Sequence, residues 1–161
     1  MKTKLSSSAP SQLDTECLVV VALDRGSKDK PEANLETSDT AIQQVAAELI
    51  ASGEVTGKNF ENTLVHHPSG LKAKRLLIVG GGKAQVFSGF ELRRVAGSAV
   101  RTLKSRGLRS FAFVVPQRGL QAQDAIKATV EGAFVGNFDA DTYRSERKDQ
   151  KIDELTVIAG S

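Results

Sequence analysis

Lys74-Arg75-Leu76-Leu77-Ile78-Val79-Gly80-Gly81-Gly82-Lys83 is the stretch on which the fold turns. Two basic residues lead into an unbroken aliphatic run, and three glycines close it. A short continuous apolar run bounded by turn residues is the pattern of a strand buried on both faces, as in parallel sheets covered by helices. Upstream, Cys17-Leu18-Val19-Val20-Val21-Ala22-Leu23 has the same character. Between the two, Asp24 to Glu36 reads as a polar loop. Thr37 or Ser38 then caps a helix whose Ile42, Val45, Ala46, Leu49 and Ile50 recur at helical spacing, with Gly53 as its stop. Asn62 to His66 reads as a short strand before the turn His67-Pro68-Ser69-Gly70.

Downstream of the glycines, a helix is expected from about Ser88 to Arg106, with Leu92, Val95, Ala96, Ala99, Val100 and Leu103 on its core face. Arg109 to Val115 is the next strand, broken by Pro116. Gln121 to about Phe138 is a third helix, with Ile126, Val130, Ala133, Phe134 and Phe138 expected inward. Its Gly132 and Gly136 sit one turn apart, as close packing against a neighbour favours, although glycine weakens a helix. Asp139 to Glu154 is a connection and Leu155 to Ile158 a last strand. Residues 1–16 are Ser-rich and unpatterned and read as a disordered or frayed arm, leaving 17–161 as the domain. The order β-α-β-β-α-β-α-β predicts a three-layer α/β/α sandwich around a mainly parallel mixed sheet.

The 161 residues, 40% of them hydrophobic, suffice for one packed core. No apolar run approaches the roughly 20 residues a membrane helix needs. No apolar segment follows the N-terminal lysines as a secretory signal requires. Cys17 is the single cysteine, so neither an internal disulfide nor a cysteine-rich zinc site is available. These features predict a soluble, cytoplasmic domain. The net charge of +3 is unevenly spread, because Lys72 to Arg109 holds ten basic residues and one acid. Such an imbalance suits nucleic acid, an acidic partner or a solvated face. On the Ser88–Arg106 helix, Arg93, Arg101 and Lys104 fall on the outer side as a basic interaction ridge.

The glycine run invites a phosphate reading. Gly80 and Gly82 match the first two positions of a dinucleotide fingerprint, but Gln85 occupies the third and the helix starts later. A P-loop also fails, with Leu77 at its first glycine and Ala84 at its Ser or Thr. Gly80, Gly81, Gly82 and Lys83 remain as a candidate anion turn, against the simpler reading of a tight turn. His66 and His67, the only histidines, point to opposite faces if they lie on a strand, which disfavours one metal taking both. No nucleophile elbow accompanies them. Cys17 lies in a core strand and reads as an inert thiol. Asp139, Asp141, Asp149, Asp153 and Glu154 are interleaved with Arg144, Arg147, Lys148 and Lys151, which suits solvated surface better than a hard-metal site. From the residues alone no catalytic or metal site emerges.

Gly57-Lys58, Thr63-Leu64-Val65-His66 and Lys74 to Lys83, followed by Val130-Glu131-Gly132-Ala133-Phe134-Val135-Gly136-Asn137-Phe138 and Tyr143-Arg144-Ser145, form a series whose order and spacing carry a resemblance. The chain from Cys17 to Ile158 resembles the N-terminal domain of the leucyl aminopeptidases, the cytosol aminopeptidase family. Gly81 departs from that family's GLGK turn but leaves both outer glycines in place. The resemblance implies a macro-domain-like fold and a parent hydrolase that removes N-terminal residues from peptides as a homohexamer. It also implies two divalent metals, zinc or manganese, in a C-terminal catalytic domain with an N-T-D-A-E-G-R motif. Asp139-Ala140-Asp141 does not substitute for that motif, so no catalytic or metal residue is carried over. The domain is expected to be inactive alone. A phosphate- or ADP-ribose-binding module and a DNA-binding domain stand as the alternatives.

Overall fold

The computed structural model describes residues 1–116, 119–138 and 151–160. Their sheet contains β1 (Lys2–Ser6), β2 (Leu18–Asp24), β3 (Ala33–Leu35), β4 (Asn62–His66), β5 (Arg75–Lys83), β6 (Ser110–Val114) and β7 (Glu154–Ile158). The helices are α1 (Thr40–Ala51), α2 (Gly89–Ser105) and α3 (Ala122–Asn137). The strand order is β1-β7-β6-β2-β5-β4. All neighbours are parallel except β4, which runs antiparallel to β5, and β3, which pairs antiparallel with β2.

Every residue of β2 is buried, because both faces of this central strand are covered. Cys17, Val19, Val21 and Leu23 join the core beneath α2 and α3. Leu18, Val20 and Ala22 join Ile42 and Ala46 of α1 on the opposite face. This double coverage is the physical reason for the uninterrupted apolar runs, and it makes the domain the expected α/β/α sandwich with a mainly parallel mixed sheet. All six apolar residues assigned to the core face of α2 are buried. Its N-terminus is fixed by Ser88 and Glu91, whose carboxylate accepts from the Ser88 N–H at 3.1 Å.

Four local expectations require correction. Residues 1–16 are not an unstructured arm, since β1 pairs with β7 from Lys2 opposite Glu154 to Ser6 opposite Ile158. Main-chain pairing on an edge, with Lys2, Thr3, Lys4 and Leu5 exposed, needs no apolar alternation and so leaves no pattern to read. A 3-10 turn at Pro10–Gln12 follows, and Ser11 N–H donates to Asp39 Oδ2 at 2.8 Å. Asp39, rather than Thr37 or Ser38, is the cap of α1, accepting from the N–H groups of Ala41 and Ile42. Within the expected loop from Asp24 to Glu36, β3 takes the edge of β2 that β6 leaves open beyond Val19.

The fourth correction concerns α3. Phe134 and Phe138, expected inward, are 47% and 73% exposed. Ala133 is buried as expected, together with Ala125, Ala128, Thr129, Gly132 and Gly136. The cause is the approach of α3 to α2. A Cβ added to Gly132 would lie 2.1 Å from Arg93 O, and one on Gly136 would lie 2.6 Å from Gly97 O. Backbones this close leave room only for small residues, so the phenylalanines turn outward. The Asp139–Asp141, Tyr143–Ser145 and Arg147–Asp149 portions of the sequence reading lie outside the described residues.

Candidate functional site

The C-terminal ends of parallel strands are where ligands bind in open α/β sheets. Here that crest is formed by Asp24 at the end of β2 and by Gly80 to Lys83 at the end of β5. The glycines are not the expected turn but a continuation of the strand. Gly80 N–H donates to Glu61 O at 2.7 Å and Gly82 N–H to Gly57 O at 2.8 Å. A Cβ on Gly80 would fall 1.8 Å from Lys58 O, and one on Gly81 would fall 2.6 Å from a Leu23 methyl. Only Gly82 has the left-handed backbone anticipated for the run, with φ of 86°. Glycine is needed at the first two positions because neighbouring chain occupies the space, not because an anion does.

Lys83 is equally committed. Its Nζ donates to Asp24 Oδ2 at 2.8 Å and to Ser27 O at 3.3 Å. The other Asp24 oxygen accepts from the N–H groups of Gly26 and Glu32 at 2.8 and 2.9 Å. The Lys83 hydrogen bond holds the Asp24 carboxyl below the usual carboxylate range, and the backbone donors reinforce it against the opposing effect of burial. The four residues of the candidate anion turn are therefore contiguous, but the N–H groups of Gly80 and Gly82 and the Lys83 ammonium serve the fold.

The basic ridge is reorganised as well. Arg93 and Arg101 are exposed, but Lys104 is only 6% exposed. Its Nζ donates to Gly136 O at 3.4 Å and Asn137 O at 3.2 Å. The close helix crossing covers the Lys104 stem and brings its ammonium to the last carbonyls of α3, the negative end of that helix. Arg94 takes a place beside the ridge instead. Its guanidinium lies 4.8 Å from the centre of the Phe60 ring and 5.7 Å from that of Phe90. Arg93, Arg94 and Arg101 line an open groove of about 400 Å³ between α2 and α3, with Gly97 and Gly132 among its lining residues and Phe60 and Val135 at its sides. Arg94 was legible only as one more member of a basic run. Phe60, at φ of 64°, carried no sequence signal for a place in a groove.

The remaining candidates have ordinary surroundings. Burial pushes the Cys17 thiol up to about 12, as an inert core cysteine requires. His66 ends β4 and His67 follows at φ of 50°, both exposed. Glu154 pairs with Lys4 at 3.1 Å, and Asp153 lies 4.0 Å from Arg109. Among the described residues, no three His, Cys, Asp or Glu side chains gather where they could hold a metal ion. The described residues thus do not offer the ligand set of a two-metal centre, which the resemblance implies for a C-terminal catalytic domain.

A mainly parallel sheet between helix layers, with its strand-end crest closed by internal hydrogen bonds, defines a macro-like α/β/α domain. A Trypanosoma brucei macrodomain in complex with ADP-ribose superposes with a TM-score of 0.65 at 20% identity, covering 98% of this chain and 63% of that one. A tomato leucine aminopeptidase mutant superposes with a TM-score of 0.73 at 20% identity, covering 99% of this chain and 32% of that one. At these identities the likenesses establish the fold. Family membership comes from sequence: residues 20–147 match the cytosol aminopeptidase family, N-terminal domain, and the chain belongs to that family. A probable cytosol aminopeptidase of Koribacter versatilis is 43% identical over 174 residues, 98% of this chain and 34% of that protein. One of Acidobacterium capsulatum is 39% identical over 166 residues, 98% of this chain and 33% of that protein. The chain thus spans about a third of the length of these curated relatives.

Proposed function

We propose that this domain is the non-catalytic, accessory N-terminal part of a two-metal leucyl aminopeptidase that releases N-terminal amino acids from peptides. The observation that carries the reading is the match of nearly the whole chain to about a third of proteins named probable cytosol aminopeptidases. Peptide hydrolysis, and the zinc or manganese ions it uses, belong in this reading to a C-terminal catalytic domain. That domain is the first partner of the one described here, within a cytoplasmic homohexamer. The exposed arginines of α2 suit a role in assembly or in access of peptides to the catalytic domain. No helix among the described residues is long and apolar enough to cross a membrane.

The macrodomain likeness raises ADP-ribose binding as a second reading. It is disfavoured because two of the glycine N–H groups it would use already donate to carbonyls of residues 57 and 61. The test is to extend the chain through its native reading frame and assay leucine amide hydrolysis with and without a metal chelator. Chelator-sensitive hydrolysis by the extended protein, and none by the 161-residue chain, is the expected result. A reading frame that stops at Ser161, or an extended protein without hydrolysis, overturns the proposal.

A further inference from the structure

The groove between α2 and α3 has features that its role in helix packing does not require. Arg94 and Arg101 are seven residues apart on α2, which places them two turns and about 10.5 Å apart along one side of the helix. Arg93 is matched by Glu131 of α3 at 3.2 Å, and Glu131 also lies 3.9 Å from Lys127. Arg94 and Arg101 form no ion pair among the described residues. Glu91, one turn before Arg94, is held by Ser88 and feels Arg94 only through its field. Two cations therefore stand on one helix face without a carboxylate of the described residues in contact.

Gly97, between them in sequence, has no side chain, and the Arg101 guanidinium lies over it, its two terminal nitrogens 3.5 and 3.6 Å from where a Gly97 Cβ would stand. Gly97 and Gly132 meet there, with a Cβ on Gly97 falling 3.2 Å from Gly132 O. The rim is apolar: Val135 and Phe90 are 65% and 60% exposed, and Phe60 is half-buried. Stacking on Phe60 and Phe90 holds the Arg94 guanidinium in place before any partner arrives.

We propose that the α2–α3 groove receives an acidic amphipathic helix of a protein partner, with carboxylates at i and i+7 meeting Arg94 and Arg101 and apolar side chains between them resting on the exposed Phe90 and Val135 of the rim. The occupant follows from charge and shape complementarity. A helix presents residues seven apart on one face at the separation of the two arginines, and the apolar side chains between them meet the exposed rim. A nucleic acid suits the groove less well. The Glu131 carboxylate pairs with Arg93 of its lining, only Arg94 and Arg101 of its lining cations lack an ion pair among the described residues, and the apolar rim offers nothing to phosphates.

The test titrates the whole chain against a labelled, alanine-based helical peptide of about 16 residues, with two glutamates seven positions apart and leucines between them. Fluorescence anisotropy is the readout. The same peptide with lysines for glutamates and an oligothymidylate serve as competing probes. Saturable binding of the glutamate peptide is expected, weakened about tenfold by Arg94→Glu or Arg101→Glu and changed less than about twofold by Arg106→Glu outside the groove. Arg94→Gln and Arg101→Gln, expected to weaken binding less, replace any reversed variant whose circular dichroism shows loss of fold. Absence of saturable binding, equal binding of the lysine peptide, or indifference to all groove variants overturns the proposal. Tighter binding of the oligothymidylate with the same arginine dependence also overturns it, in favour of a nucleic-acid surface. None of these readouts involves hydrolysis, so the outcome is independent of the peptidase reading.

Discussion

Glycines line both the end of β5 and the α2–α3 crossing, but they leave the two regions in opposite states. At the end of β5, Gly80 and Gly81 let the chain at Lys58 and the side chain of Leu23 close over the strand. The Gly80 and Gly82 donors are consumed there, and Asp24 and Lys83 lock the crest together. At the crossing, Gly97, Gly132 and Gly136 bring two helices into backbone contact. Because these residues carry no side chains, the helices approach closely and the Arg101 guanidinium folds over Gly97 in the groove above them. The same lack of a Cβ closes a site where the neighbour is a crossing strand and loop, and opens a groove where the neighbours are two cylinders. A glycine cluster is thus evidence of close backbone approach before it is evidence of a ligand.

Steric substitution is the strongest way to break this comparison. Gly80→Ala should destabilise the domain by about 3 kcal/mol or more, since the new Cβ meets backbone rather than a flexible side-chain end. Gly132→Leu should cost at least as much, because it must part α2 from α3. Urea denaturation midpoints measure both. A neutral Gly80→Ala would show that the crest is loose enough to admit a ligand.

The polar lock gives the next effect. Asp24→Ala removes the acceptor of two backbone N–H groups and of the Lys83 ammonium, at an expected cost of about 2 kcal/mol near neutral pH. The Asp24 carboxyl is held low in the folded protein, so the unfolded chain binds the proton first as the solution is acidified. Its contribution is fully present above the usual carboxylate range and is lost as pH falls through the lowered native value. Lys83→Met should reduce that acid-side loss, as read from stability measured between about pH 5 and 3. An unchanged acid profile would mean that the Lys83–Asp24 pair does not lock the crest.

The smallest effect separates two cations of one helix. Lys104→Met removes a buried ammonium from the carbonyls of Gly136 and Asn137 and should cost about 1–2 kcal/mol. Arg101→Met, on the open side of the groove, should stay within about 0.5 kcal/mol. Equal thermal or urea stabilities for the two variants would return Lys104 to the solvent ridge.

What could be read from the residues followed how many of their contacts are local. The apolar runs at Cys17–Leu23 and Leu76–Val79, and the periodicity of α2, record which elements are covered and on how many sides. The core strands and the layer order were accordingly legible. β1 was not, because an exposed edge strand is held by backbone hydrogen bonds that any side chain permits. Asp39 is not distinguishable as the cap from sequence, because Thr37 and Ser38 are equally competent in isolation; the structure brings its carboxylate to the N–H groups of Ala41, Ile42 and Ser11.

The chain by itself determined the α/β/α sandwich, since burying a strand on both faces demands continuous hydrophobicity and burying a helix on one face demands its period. It also determined the family, through an ordered series of short segments. Only the tertiary structure decided which glycines close a site and which open one, which phenylalanines face solvent, and that Lys104 belongs to the end of α3 while Arg94 belongs to the groove. Those outcomes depend on how near one backbone comes to another many residues away, a distance that neither composition nor periodicity encodes.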